Sequence, residues 1–372
     1  MVSKTFITII GVGDIMPGGV LAGVNEGYVS QEVLEVLRKG DIRVGTLETA
    51  IGNSPTFNQE KMSRKGDVIY ALDADMIKLK HLGMDVVSLA NNHYFDLGAA
   101  GAEHAVRLLD EMGIKHVGAG RNLEEASRPA VISVGGRSVA FIAFCECEQE
   151  RIGWCPIATE KTPGVNPLRE GYVCEEIKRY KGLYDYVVVM PHWGKEGQTM
   201  PTDHQYRLAK CMMVAGADLI LGSHAHCVQP VFHKKGKAVA FGMGNFLFPD
   251  RLIAPPRSTY YSDVPLDYSL LPVTDRYPFV EEVTFKKWRM KARYGCMVEC
   301  WLDEHGTRAK GKITHLTKDN HLELSEGRYA YKGQLNLASA ALRSGCFVQL
   351  YAFQELINRA KRVVKRVKKG FH

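Results

Sequence analysis

Seven extended apolar runs, separated by stretches of helical periodicity, fill the chain from Thr5 to Phe248, and that alternation restricts it to a layered α/β architecture. The runs are Phe6 to Val12, Ile42 to Leu47, Asp85 to Ala90, Val139 to Phe144, Tyr186 to Met190, Ala217 to Leu221 and Ala238 to Met243. Between them the spacing predicts helices over Ser30 to Arg38, Ala74 to Leu82, Ala99 to Met112 and His204 to Ala215. Asp73 and Thr202 stand where N-caps belong, and Gly83, Gly113 and Gly216 stand where helices stop.

Six of these runs end in a polar cluster. Gly13-Asp14, Glu48, Asn91-Asn92-His93, His192, Gly222-Ser223-His224-Ala225-His226 and Asn245 each follow a strand-like segment. In α/β sheets the carboxyl ends of the strands open on one crevice, so residues more than two hundred positions apart can meet there. Asp, Glu, Asn and His are oxygen and nitrogen donors suited to Zn, Mn or Fe, so the joint pattern predicts a divalent metal site of one or two ions. Taken singly, each residue also has a plain structural reading, as a hydrogen-bonded histidine or a turn-forming asparagine.

The 372 residues, 45% of them hydrophobic, suffice for one large domain and an appendage. No apolar run reaches the roughly 18 to 20 residues of a membrane span. Met1 to Lys4 lead straight into the first strand, which leaves no space for a cleavable signal segment, so a cytoplasmic location is expected. Nine cysteines without a CxxC pair argue against a disulfide framework and for reduced structural thiols. The net charge of +7 equals the seven bases Arg359, Lys361, Arg362, Lys365, Arg366, Lys368 and Lys369, so the body is nearly neutral, which argues against a nucleic-acid surface.

After Phe248 the pattern changes. Residues 251–276, with Pro255-Pro256 and Pro265, read as a loop or lid. Over 277–334, the segments Val283 to Phe285, Cys296 to Leu302, Gly311 to Leu316 and Leu322 to Leu324 read as antiparallel strands that extend the sheet or form a small β appendage. Residues 335–372 read as helix, with Leu356, Ala360, Val363, Val364, Val367 and Phe371 forming an apolar stripe opposite the terminal bases. Such a helix either docks on an anionic membrane surface or synthase complex at the inner face, or packs its stripe on the domain.

The motifs Gly13-Asp14-Ile15-Met16, Thr46-Leu47-Glu48-Thr49, Ala90-Asn91-Asn92-His93-Tyr94-Phe95-Asp96-Leu97-Gly98, Gly118-Ala119-Gly120, Gly164-Val165-Asn166-Pro167, His192-Trp193-Gly194-Lys195-Glu196, Gly222-Ser223-His224-Ala225-His226 and Gly242-Met243-Gly244-Asn245-Phe246, in this order, resemble the CapA or poly-γ-glutamate capsule synthesis family. That family in turn resembles the calcineurin-like metallophosphoesterases in fold. The resemblance implies that Asp14 and His226 hold one metal, that Asn92, His192 and His224 hold another, and that Glu48 bridges them. It also implies that His93 faces the scissile group. Met16 stands where many metallophosphoesterases have a ligand histidine, so a one-metal site stays open.

Around this set, Asp96 either orients His93 or caps the following helix. Glu196 is a candidate for substrate contact, Trp193 either packs or stacks a substrate at the rim, and Asn245 either donates to substrate or closes a turn. The resemblance implies a metal-dependent hydrolase of phosphoesterase type acting on a small-molecule or polymer substrate with phosphate or γ-glutamyl groups, in capsule or surface polymer biosynthesis. A non-catalytic polymer-handling protein and an amide hydrolase of a γ-glutamyl polymer are the alternatives.

Overall fold

The computed structural model describes residues 6–53, 59, 68–146, 154–255, 258–259, 267–274, 280–325, 329, 331–352 and 354–356. The strands of the first sheet are β1 (Ile7–Ile15), β2 (Ile42–Leu47), β3 (Val86–Ser88) and β4 (Lys115–Val117). The second sheet holds β5 (Ala130–Val134), β6 (Arg137–Cys145), β7 (Tyr186–His192), β8 (Leu219–Leu221), β9 (Val231–Lys234) and β10 (Lys237–Ala240). Late in the chain come β11 (Tyr294–Asp303), β12 (Gly306–Leu316) and β13 (Leu322–Leu324). The first sheet runs β13-β12-β11-β1-β2-β3-β4 and the second β9-β10-β8-β7-β6-β5. Strands β1 to β4 are mutually parallel, as are β6, β7, β8 and β10.

Period-two alternation divides the interior. Along β6, Val139, Phe141 and Ala143 join the cluster shared with the first sheet, whereas Ile142 and Phe144 join one with the helices outside. Val188 against Val187 and Val189, and Leu219 and Leu221 against Ile220, repeat the division. The sheets therefore stack face to face. Gly11 on β1 is close enough to β8 that a Cβ there would lie 2.9 Å from a Leu221 methyl.

Helices α1 (Gln31–Arg38), α2 (Ile77–His81) and α3 (Gly98–Glu111) contribute Val33, Leu79 and Leu109 to the first cluster. Helices α4 (Glu170–Lys181), α5 (Asp203–Ala215) and α6 (Lys332–Ser344) contribute Ile177, Met212 and Leu342 to the second. Each such fully buried side chain contributes roughly 1.5–3 kcal/mol of transfer free energy.

Thr202 caps α5 through a capping box with Gln205, and Gly83, Gly113 and Gly216 take positive φ at helix ends. Asp73 is not a cap: it lies inside a short 3-10 turn, where its carboxylate binds Asn53 Nδ2 and His104 Nε2. Asn53 and His104 come from outside the turn, and they draw the side chain away from the backbone donors a cap would serve. The expectation of reduced thiols fails at one pair, since Cys174 on α4 and Cys211 on α5 are joined as a disulfide across the helix interface.

Of the two readings for the C-terminal strands, the sheet extension is what forms. β11 pairs antiparallel with β1, with Ile7 opposite Leu302 and Gly11 opposite Val298. The first β segment of that region, Thr284–Lys286, instead pairs with Arg251–Ala254 in a separate small sheet. The lid segment is described at 251–255, 258–259 and 267–274. The basic residues of the terminal stripe, and all its apolar members except exposed Leu356, lie outside the described residues. No described helix is long and apolar enough to cross a membrane.

Candidate metal centre

Strand β1 changes register against β2 between Gly11 and Asp14, an irregularity that re-aims the strand end. Gly13 makes this possible: a Cβ there would sit on the carbonyl oxygen of Gly244, the acceptor for the Asp14 N–H. Asp14 thereby reaches the crevice fully buried, with Glu48, His192 and His224 equally buried beside it. Asn92 and His226 are 6% and 8% exposed, which puts their edge of the cluster at the cleft.

Two groups of ligand atoms form, Asp14 with Glu48 and His226, and Glu48 with His192 and His224, each with its atoms within 4.8 Å of one another. Glu48 belongs to both. Its Oε1 lies 3.6 Å from His192 Nε2 and 3.7 Å from His226 Nε2. Asn92 Oδ1 lies 2.8 Å from His192 Nε2, so the amide joins the second group.

The turn carrying the two histidines is strained. His224 has φ 85° and His226 φ 47°, conformations uncommon for side chains with a Cβ. The ring centroids of His192 and His224 are 4.8 Å apart. Outer partners fix the rings: Ser223 Oγ lies 2.8 Å from His192 Nδ1 and Asn245 Oδ1 lies 2.7 Å from His226 Nδ1, which leaves each Nε2 toward Glu48.

Among the described residues, both carboxylate oxygens of Glu48 and both ring nitrogens of His224 are buried without a hydrogen-bond partner. Buried polar groups are rarely left so, because the desolvation penalty is of the order of 1–3 kcal/mol and more for a charge. Orphaned donor atoms of this chemistry, arranged around a common carboxylate, fit a divalent cation.

The electrostatics agree. Burial, with Asp14 and Glu196 nearby, pushes the Glu48 carboxyl well above the usual range, and His226 opposes the rise. Burial pushes His192 well below the ordinary imidazole value, helped by the neighbouring imidazoles. Burial also lowers His224. For His226 burial works downward, but Glu48 and Asp14 outweigh it and carry the group up to about 10.

His93 sits at the crevice edge with its Nδ1 2.7 Å from Asp96 Oδ2, which also accepts the Ile69 N–H at 2.6 Å. The helix after Asp96 is preceded by Leu97 and has no side-chain cap, so Asp96 orients the imidazole and the capping alternative falls. Glu196 is exposed at the mouth, and although the crowded cleft desolvates it, His226, His224, His93 and Arg251 hold its carboxyl below the ordinary value.

Two expected substrate contacts are corrected. Trp193 is fully buried, donates from Nε1 to Phe241 O at 2.8 Å and stacks on Phe241, because its strand end turns inward under the His-x-His loop. Asn245 spends its amide on His226 and on Ala292 O, 2.9 Å away, so it positions an imidazole instead of reaching a substrate. Met16 is sealed in an apolar cluster with Ile69 and Phe248.

The pattern of strand-end polar residues did not reveal Arg251 and Trp288. The Arg251 guanidinium stacks over Trp288 at 4.6 Å, and Trp288 lies 5.1 Å from the His226 ring. The Trp-Arg-Met-Lys composition after Lys287 was the available signal.

A layered α/β protein with a buried oxygen-and-nitrogen donor cluster at its strand ends is the class that this fold and site define. Residues 8–250 match the family described as Bacterial capsule synthesis protein PGA_cap, and the chain belongs to that family. It is 31% identical over 250 residues to the Capsule biosynthesis protein CapA of Bacillus anthracis, covering 65% of this chain and 60% of that one. It is 30% identical over 243 residues to the PGA biosynthesis protein CapA of Bacillus subtilis (strain 168), covering 64% and 62%. A Probable polyglutamine synthesis accessory protein of Mycobacterium tuberculosis is 29% identical over 224 residues, covering 58% of each chain. The match thus spans about three fifths of the length of these curated relatives.

Proposed function

We propose that this chain is a metal-dependent hydrolase of phosphoesterase type, acting in the biosynthesis or remodelling of a bacterial capsule or surface polymer such as poly-γ-glutamate or polysaccharide. The observation that carries the reading is Glu48, a fully buried carboxylate without hydrogen bonds, shared between two groups of metal-type donors. The names of the Bacillus relatives supply the polymer.

Asp14, Glu48 and His226 would hold one cation, and Glu48, Asn92, His192 and His224 a second. Mn, Zn or Fe suits this donor set. When bound, such ions supply Lewis acidity toward substrate oxygens and lower the pKa of water toward neutrality. Ser223 and Asn245 keep His192 and His226 turned inward. Asp96 holds the His93 Nδ1, so the opposite ring nitrogen is the one presented to the departing oxygen for proton delivery. The Arg251 charge reaches Glu48 and Glu196, and it adds attraction for an anionic substrate group.

Purified protein loaded with Mn or Zn is expected to cleave a phosphoester, phosphoanhydride or capsule-polymer substrate, and to lose that activity in His93→Ala. A folded, metal-loaded protein that cleaves none of them would defeat the proposal. Ions held by the same donors would supply the same Lewis acidity and water activation toward a γ-glutamyl amide, which the polymer arm of the screen detects. One observation favours a non-catalytic polymer-handling role: Met16 removes an imidazole from the first group and is packed in an apolar cluster. Docking of that protein on a synthase complex by its basic tail would be seen as membrane association that disappears when the tail bases are replaced.

A further inference from the structure

Beside His226 the centre opens into a cavity of about 580 Å3, within the range of ligand sites. Its outer wall is the segment Lys286-Lys287-Trp288-Arg289-Met290-Lys291, and Glu196 stands across from it. Four bases therefore face one carboxylate. This segment lies beyond the family match, which ends at residue 250.

The wall is held in place by one buried acid. Asp250 accepts the Trp288 N–H at 2.7 Å and the Arg293 guanidinium at 2.6 Å, and Pro249 O accepts the Trp288 indole N–H at 3.1 Å. The middle of the segment, at Trp288, and Arg293, two residues beyond its end, are thus fixed to residues 249–250, and the Trp288 ring lies against His226. Three of these cations have no carboxylate partner among the described residues: Lys287 lies over the Phe285 ring at 5.3 Å, Lys291 lies over Tyr331 at 5.0 Å, and neither they nor Arg289 form a salt bridge there. Three bases, Lys287, Arg289 and Lys291, without salt bridges among the described residues, on a wall leading to a metal-type cluster, suit a ligand that carries negative charge at repeated positions.

We infer that the Lys286–Lys291 wall is a subsite for an extended anionic chain, with carboxylate or phosphate groups at successive units, which it feeds past Trp288 to the His226 end of the centre. The inference rests on the proposed hydrolase reading for the direction of feeding, not for the binding itself. Trp288 packs the backbone of the chain, Lys287 and Arg289 take its outer charges, and Lys291 takes a charge nearer Tyr331.

The test measures binding of fluorescent short poly-γ-glutamate, inorganic polyphosphate and neutral dextran by anisotropy. The full chain is used, with the seven terminal bases from Arg359 to Lys369 replaced by Gln so that they do not compete. Lys287→Glu/Arg289→Glu is expected to weaken anionic binding roughly tenfold or more and to flatten its salt dependence. Lys80→Glu/Lys115→Glu makes the same charge change at exposed sites near the far edge of the first sheet and is expected to retain the affinity. Preference for one anionic polymer identifies the source of the charges. Equal binding by the wall variant and its parent, equal losses in the two double variants, or equal affinity for dextran would overturn the inference. Metal content measured on the same samples separates the readings: polymer binding without metal refutes the hydrolase and leaves the subsite, and metal without wall-dependent binding does the reverse.

Discussion

Replacing Glu48 with Gln should leave the metal-free protein as stable as before, or more stable, while abolishing stabilisation by metal. The Glu48 and Asp14 ligand oxygens lie within 4.8 Å, so at an effective dielectric of about 20 their repulsion is no less than about 3.5 kcal/mol. His226, 3.7 Å away, returns about 4.5 kcal/mol when protonated. These nearly cancel, and a buried carboxylate without hydrogen bonds also carries a desolvation penalty of several kcal/mol that the amide avoids in large part.

Metal at about 100 to 1,000 times its dissociation constant stabilises the wild type by about 2.7 to 4.1 kcal/mol. For 372 residues the unfolding entropy is about 0.8 kcal/mol/K, so the melting temperature should rise by about 3 to 5 °C. Differential scanning fluorimetry with EDTA, then with Mn or Zn, reads both effects. A Glu48→Gln protein that keeps the full metal shift, or that melts many degrees lower in EDTA, would refute the reasoning.

Further outcomes follow from the same geometry. Ser223→Ala removes the partner of His192 Nδ1 and should weaken metal binding about 10- to 100-fold in a competition titration, and unchanged affinity would deny the hydroxyl its orienting role. Arg293→Ala leaves Asp250 buried beside a lost cation and should cost about 3–5 kcal/mol in urea unfolding, whereas a loss under 1 kcal/mol would show the pair to be dispensable. In metal-free protein, stability should fall as pH drops below about 6.5, because the unfolded chain takes up protons that His192 and His224 refuse in the fold. The raised His226 acts oppositely: its contribution is fully present below about 6.5 and is lost as pH climbs to about 10. Stability read by urea denaturation across this range should therefore be greatest between the two limbs, and a flat profile would contradict the assignments.

The strands that position the centre were legible because each is a short apolar run with a polar stop, a pattern carried entirely by neighbouring residues. The His-x-His turn and Asn91-Asn92-His93 could be read for the same reason. Local pattern is silent on which strands become neighbours: nothing in Tyr294 to Asp303 says that it pairs with β1, nearly three hundred positions earlier. Trp193 shows a second limit, since a tryptophan after a strand-end histidine has the same sequence whether its ring points to the rim or to Phe241. The wall at Lys286 to Lys291 was hidden because its place depends on Asp250, which holds it through long-range hydrogen bonds. Asn245 was recognised as a site residue, but its partners His226 and Ala292 come from other segments, so its role was not.

The central claim is a metal centre built on Glu48, and elemental analysis of metal bound per chain tests it most directly. Wild-type protein should carry near-stoichiometric Zn, Mn or Fe, with about two ions if both donor groups fill, and folded His192→Ala and His226→Ala variants should each carry less. Absence of metal from the folded wild type even after reconstitution, or undiminished metal in both variants, would contradict the account.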